Sequence, residues 1–366
     1  MQYRRMPIEI ESPEQLGYDS IAYNLAESSV TDAVFGDLQL DLNKLVVCYG
    51  HHLGKPELRD LLLLGYSGLT AESVLLTAGA AAGLFIVNTS LLSAKDHLMV
   101  VRPNYATNIE TPRAIGCEIS FVDLAFEDGF RFDLGQLKKC IQANTRLISI
   151  TTPHNPTGVM LSETELRQIG ELAEEQKCYV LVDETYRDLA FGPKPPLAAS
   201  LSNRFISVSS VSKAYGIPGV RLGWIITTDP GLQELFLAAK EQIYICNSVV
   251  DEEITYQFLQ NKNRYFEKIK KQVEQNFAYL KSRMLDQQEL EWVEPKGGVV
   301  CFPRLNPKID PEKFYSILNS KYKTRVGPGH WFEMEKRYFR LGFGWERVAK
   351  FETGLDNIFK SAVESR

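Results

Sequence analysis

The chain has 366 residues, 44% hydrophobic and 24% charged, with a formal net charge of -5. That length supports two lobes with their own cores, and that balance excludes disordered and fibrous chains. There is no basic block to mark a nucleic-acid footprint, and no apolar run near the roughly 20 residues that cross a bilayer. The start, Met1-Gln-Tyr-Arg-Arg-Met-Pro, lacks the apolar core of a signal peptide.

Cys48, Cys117, Cys140, Cys178, Cys246 and Cys301 are scattered without a C-x-x-C pair, which argues against a zinc site and a disulfide framework. A reducing cytoplasm and a small-molecule partner are expected. Between residues 73 and 229, apolar runs at 73–77, 97–102, 118–123, 146–151, 178–183, 205–209 and 222–227 alternate with amphipathic stretches. This pattern predicts an α/β fold around one mostly parallel sheet. The clearest helix is predicted over 162–176, where Ser162 and Glu165 make a capping box and Leu166, Ile169 and Leu172 share a face. From about residue 230 the chain turns to charged amphipathic helices, predicted at 232–245 and at 251–285 with a break near 261–263. Strand-turn-strand over 290–304, a helix over 311–321, a strand over 337–342 and a closing helix over 348–363 complete the prediction.

Ligands of open α/β sheets bind beyond the carboxyl ends of the strands, so what each strand delivers there is informative. The first ends in Thr77-Ala-Gly79-Ala80-Ala81, small residues opening a helix whose free amides suit a phosphate. The second ends in Arg102-Pro-Asn-Tyr105, an aromatic ring for a flat ligand or for ordinary packing. The fourth ends in Thr152-Pro-His-Asn155-Pro-Thr-Gly158, a fixed loop that turns the Asn155 amide inward, and the fifth in Asp183-Glu-Thr-Tyr186. A carboxylate following Tyr179-Val-Leu-Val182 either caps a helix or needs a charged partner. The sixth delivers Ser210-Val-Ser-Lys213, followed by Gly219-Val-Arg221. Burial and the neighbouring arginine would suit Lys213 to form a covalent adduct with an aldehyde.

In this order and spacing, together with Gly50-His-His-Leu-Gly-Lys-Pro-Glu-Leu-Arg59 and Arg340-Leu-Gly342, these runs resemble the class I/II aminotransferases, fold type I pyridoxal-phosphate-dependent enzymes. The resemblance covers nearly the whole chain. It implies a seven-stranded, mostly parallel sheet between helices and a smaller α+β C-terminal domain. Residues 1–40 would be an arm belonging to that small domain, 41–240 the cofactor-binding domain, and 241–366 the linker helix and small domain. It also implies the cofactor, pyridoxal 5'-phosphate. Lys213 would be the Schiff-base lysine that moves a proton between Cα and C4′, and Asp183 the acid that keeps the pyridine nitrogen protonated. Asn155 and Tyr186 would donate to the ring oxygen. Gly79, Ala80, Ala81, Ser210 and Arg221 would form the phosphate cup, and Tyr105 would stack on the ring. Arg340 would bind the substrate α-carboxylate, with Asn155 beside it. Tyr49 would reach the phosphate of a neighbouring subunit, which makes a homodimer with shared active sites the expected working unit.

The expected reaction moves an amino group from an L-amino acid to a 2-oxo acid. The arm departs from the family pattern, reading Tyr23-Asn-Leu-Ala-Glu-Ser-Ser-Val30 where a Gly-x-Pro-Asp segment is common. Glu27 would there meet a cationic side chain or cap a turn. Its Leu-Ala-Glu run resembles the aminocyclopropane-carboxylate synthases. Pro295-Lys-Gly-Gly-Val299, Cys301-Phe-Pro-Arg304 and Ser212-Lys-Ala-Tyr-Gly216 are similar to the capreomycidine-synthase cyclases. An elimination, cyclisation or decarboxylation is therefore the alternative chemistry. His51, His52 and His330 border the expected substrate region and read as packed or surface histidines.

Overall fold

Seven runs of Val, Ile and Leu become the strands of one sheet in the computed structural model, which describes residues 1–285 and 287–366. They are β1 (Val74–Thr77), β2 (His97–Arg102), β3 (Glu118–Asp123), β4 (Thr145–Thr151), β5 (Tyr179–Asp183), β6 (Phe205–Ser210) and β7 (Gly223–Ile226). Each bound falls within one residue of the sequence prediction. The order across the sheet is β1-β7-β6-β5-β4-β2-β3, and β7 alone runs antiparallel to its neighbours. The central strands are covered on both faces, so that even Ser149 and Ser207 within them are buried. Leu76, Val180, Leu181 and Val182 are all fully buried, each contributing about 1.5–3 kcal/mol.

Register decides where the chemistry lies. Thr151 pairs with Asp183, and Gly223 sits opposite both Thr77 and Ser210. The carboxyl ends of β1, β4, β5 and β6 therefore open at one edge of the sheet. Helix α1 (Gly79–Leu91) follows β1 directly and packs on β6 and β7. Helix α2 (Glu163–Glu175) begins at the predicted capping box, in which the Glu165 amide donates to Ser162 Oγ at 3.2 Å and the Ser162 amide to Glu165 Oε2 at 2.7 Å. Such a cap contributes about 1 kcal/mol, and it fixes the direction of the preceding loop.

Helix α3 (Pro230–Tyr244) has Pro at its first position and Asp229 as its cap, two residues ahead of the predicted start. The predicted break is present between α4 (Val249–Gln260) and α5 (Lys262–Leu285). A smaller sheet follows, with order β8 (Val300–Cys301), β10 (Phe339–Gly342), β9 (Gly327–Pro328), all antiparallel. The predicted strand-turn-strand over 290–304 is only partly found. Leu290–Glu291 does pair with Arg304–Leu305, but β8 leaves that hairpin for β10. Pro303 has no amide to continue a ladder, and the fully buried Val300 and Cys301 need the apolar face that β10 provides. Helix α6 (Val348–Glu364) closes the chain. At the other end Tyr23–Asn24 pairs in parallel with Thr324–Arg325, tying the N-terminal arm to this C-terminal part. Ahead of it, two short helices, Pro7–Ile10 and Pro13–Leu16, lie against the same part through Glu11, which accepts from Trp331 Nε1 at 2.8 Å.

Candidate active site

A cavity of about 320 Å³ lies at the carboxyl edge of the large sheet, enclosed by α1, the loops after β4, β5 and β6, strand β10 and the N-terminal arm. Its floor begins at β1. Gly79 holds φ at +80°, and a Cβ there would stand 2.6 Å from Arg221 Nη2. Glycine lets helix and guanidinium share one corner. Helix α1 has no side-chain cap, so the amides of Ala80 and Ala81 face the cavity with the positive end of the helix dipole. Arg221 Nη1 is braced by the Pro218 carbonyl at 2.8 Å and Ser212 Oγ at 3.4 Å. The buried Ser210 hydroxyl accepts from the Ser212 amide at 3.3 Å. Amides, hydroxyls and a guanidinium in one corner are a donor set for a phosphate dianion.

Asp183 ends β5 and is buried. Its Oδ1 accepts from the Thr185 hydroxyl at 2.6 Å and the Thr185 amide at 3.1 Å, so it does stabilise its own turn. Burial pushes its pKa up, against the Thr185 and Asn108 hydrogen bonds. Those partners are neutral. Among the described residues no cation compensates this carboxylate, and a protonated ring nitrogen would.

Arg340 sits on β10 because that strand is buried at every position. Its neighbour Gly342 allows the arm to lie directly on the strand, since a Cβ there would stand 1.8 Å from the Glu27 carbonyl oxygen. The arm in turn holds the arginine, whose Nη2 donates to the Ala26 carbonyl at 2.7 Å. Nη1 donates to Asn155 Oδ1 at 3.2 Å, which leaves the Asn155 NH2 as the group able to donate into the cavity. Arg340 Nε is buried without a partner, and burial lowers the pKa of the guanidinium. A carboxylate ligand would satisfy both deficits. Tyr186 is buried beside Arg340 and Ser28, and burial raises its phenol pKa. Burial likewise pushes Tyr105 up to about 12, its hydroxyl lying 3.4 Å from Glu9 Oε1.

Thus Ala80, Ala81, Tyr105, Asn155, Asp183, Tyr186, Ser210, Lys213, Arg221, Arg340 and Glu27 all border one cavity, and Gly79 stands just behind it. Tyr49 does not reach this cavity within one chain; it is 83% exposed, beside the exposed Val46 and Val47. His51, His52 and His330 are exposed surface residues, with His330 bonded to Glu11. Sequence reasoning missed Ser212, signalled by its place between Ser210 and Lys213. It also missed Glu9, Glu14 and Trp331, which border the cavity from segments with no legible chemistry.

The chain matches the family model for aminotransferase class I and II over residues 29–348. It is 26% identical to an aspartate aminotransferase of Pyrococcus horikoshii over 86% of this chain and 81% of that protein. It is 25% identical to the capreomycidine synthase of Streptomyces vinaceus, over 92% of this chain and 88% of that one. Among solved structures, a PLP-dependent aminotransferase from Streptococcus suis superposes with a TM-score of 0.92 at 25% identity, covering 100% of this chain and 99% of its own. A match that runs through every strand end described above leaves one assignment: the chain belongs to the class I and II aminotransferases, and its cofactor is pyridoxal 5'-phosphate.

Proposed function

We propose that this aminotransferase moves the amino group of an L-amino acid to a 2-oxo acid with Lys213, Asp183, Tyr186, Asn155 and Arg340 as its working residues. The observation that carries the assignment of roles is the buried, cation-free Asp183 facing the same cavity as Lys213 and the orphaned Arg340 Nε. Bound there, pyridoxal phosphate supplies an aldehyde that takes up the donor's amino group and a ring that accepts the electron pair released at Cα.

The protein does the rest by position. The corner of Gly79, Ala80, Ala81, Ser210 and Arg221 would hold the phosphate, and Tyr105 the ring face. Ionised Asp183 keeps the ring nitrogen protonated. The Asn155 NH2 and the Tyr186 hydroxyl are the donors for the ring oxygen. Arg340 grips the donor's α-carboxylate in a two-point fork, which presents the Cα proton to Lys213 Nζ, the base that removes it. A 2-oxo acid then occupies the same fork and leaves as the new amino acid, in a ping-pong cycle.

Arg340→Lys keeps the charge but loses the planar fork. The expected result is a KM for the amino donor raised by about tenfold or more, read from initial rates, with cofactor absorbance retained. The half-reaction tests the function itself. Adding a productive amino acid without any oxo acid should convert the lysine-bound cofactor to its amine form and release one oxo acid per site. Ammonia or a cyclic amino acid formed without that conversion would instead establish the elimination or cyclisation reading, which the similarity to capreomycidine synthase supports, and carbon dioxide would establish a decarboxylation.

The same reading makes the protein a homodimer with shared sites, Tyr49 and its exposed neighbours Val46 and Val47 being the surface offered to a partner. A cytoplasmic location is proposed on its six unpaired cysteines. Among the described residues no helix is long and apolar enough to cross a membrane.

A further inference from the structure

The cations that line the cavity are Lys213, Arg221 and Arg340, and the aminotransferase reading commits all three: to the cofactor's aldehyde, its phosphate and the substrate's α-carboxylate. Three carboxylates remain, all from the N-terminal segment. Glu9 and Glu14 come from the two short N-terminal helices and Glu27 from the arm that lies on β10. Glu9 has the Tyr105 hydroxyl at 3.4 Å and Glu27 the Tyr18 hydroxyl at 3.3 Å. Both contacts are long and neutral. Of the bordering cations only Arg340 acts on Glu9 and Glu27, and the α-carboxylate assigned to its fork would take up that charge.

Arg340 fixes the direction. It is 4% exposed, its Nε has no partner, and it borders the same cavity. With the α-carboxylate in its fork and Cα turned to Lys213, a donor's side chain is left with the space under the N-terminal helices. There Ile8 and Pro13 offer apolar surface beside the carboxylates. Apolar walls ending in negative charge suit a methylene stem with a cationic head. A side-chain carboxylate would meet only like charge.

Resting on the aminotransferase reading, we infer that Glu9, Glu14 and Glu27 form a side-chain subsite for a cationic amino donor of the arginine or lysine class. The subsite discriminates by charge, so aspartate and glutamate, and dicarboxylic oxo acids in the return step, are excluded substrates.

The test uses the pyridoxal-phosphate holoenzyme with arginine, lysine, glutamate and citrulline, the last being a neutral analogue of arginine. Calorimetric Kd and oxo-acid formation are measured in parallel. Arginine and lysine are expected to bind at least about tenfold more tightly than citrulline, with glutamate weakest. In the combined Glu9→Gln, Glu14→Gln, Glu27→Gln variant the ratio of arginine to citrulline affinity should fall to about one, and Glu14→Gln alone, at an exposed position, should lower it part way. Glutamate or citrulline binding as tightly as arginine overturns the subsite, as does a preference that survives the triple substitution. Selective arginine binding without oxo-acid formation retains the subsite and refutes transamination of that donor. Turnover confined to neutral or acidic donors does the reverse.

Discussion

Lys213→Ala is expected to lower transamination by about a thousandfold or more, the usual worth of a positioned acid-base group, while leaving the fold intact. The side chain is only half-buried, and the local hydrogen bond of this residue runs through its main chain, the Val30 amide donating to the Lys213 carbonyl at 3.1 Å. Alanine keeps that bond. The variant should therefore melt within a few degrees of the parent, and the loss is chemical. Borohydride reduction followed by peptide mass spectrometry provides the direct check: the parent should carry the cofactor on the peptide containing residue 213, and the variant should carry none. Turnover retained in the variant would refute the assignment of Lys213.

Asp183→Asn is the second large effect, and it separates function from stability. Asparagine can still accept from the Thr185 hydroxyl and amide, so the turn after β5 survives. What would disappear is the negative charge proposed to face the ring nitrogen. Removing one member of a buried ion pair costs about 3–5 kcal/mol, and at about 1.36 kcal/mol per decade kcat should fall by about two to four decades. Stability of the cofactor-free protein should move the other way. The folded-state pKa of Asp183 is raised by burial, so the folded chain holds its proton more tightly than the unfolded chain does. Stability then falls as pH climbs from the ordinary carboxylate pKa through the raised one, and above that window the buried charge is a standing cost. Asparagine removes this cost. Thermal melts of the apo form near neutral pH should show the variant at least as stable as the parent, with the advantage gone at acidic pH. A variant that is inactive and also less stable at neutral pH would mark Asp183 as structural.

These two residues were legible because their signals are local. A lysine between small hydroxyl residues and a glycine turn, or an acid closing an apolar strand, keeps its meaning wherever the strand sits. The strand bounds were legible for the same reason, since Tyr179–Asp183 is buried after its first residue and shows it as the run Val-Leu-Val. Pairing was harder. Nothing in Gly223–Ile226 distinguishes an antiparallel strand from a parallel one, and the departure of Val300–Cys301 to join β10 depends on which apolar face lies nearby. Glu9 and Glu14 were invisible because their helices are four residues long, too short for any periodicity. Their position is set by distant contacts such as Glu11 with Trp331. Glu27 was noticed only because its segment departs from the family pattern.

The arm lying on β10 has one more consequence. The family match spans residues 29–348, whereas Glu9, Glu14 and Glu27 all precede it. On the inferred subsite, donor choice would rest on residues outside the stretch that the family model matches. If the subsite is as inferred, substitutions ahead of residue 29 would change the donor and leave the catalytic centre as it is.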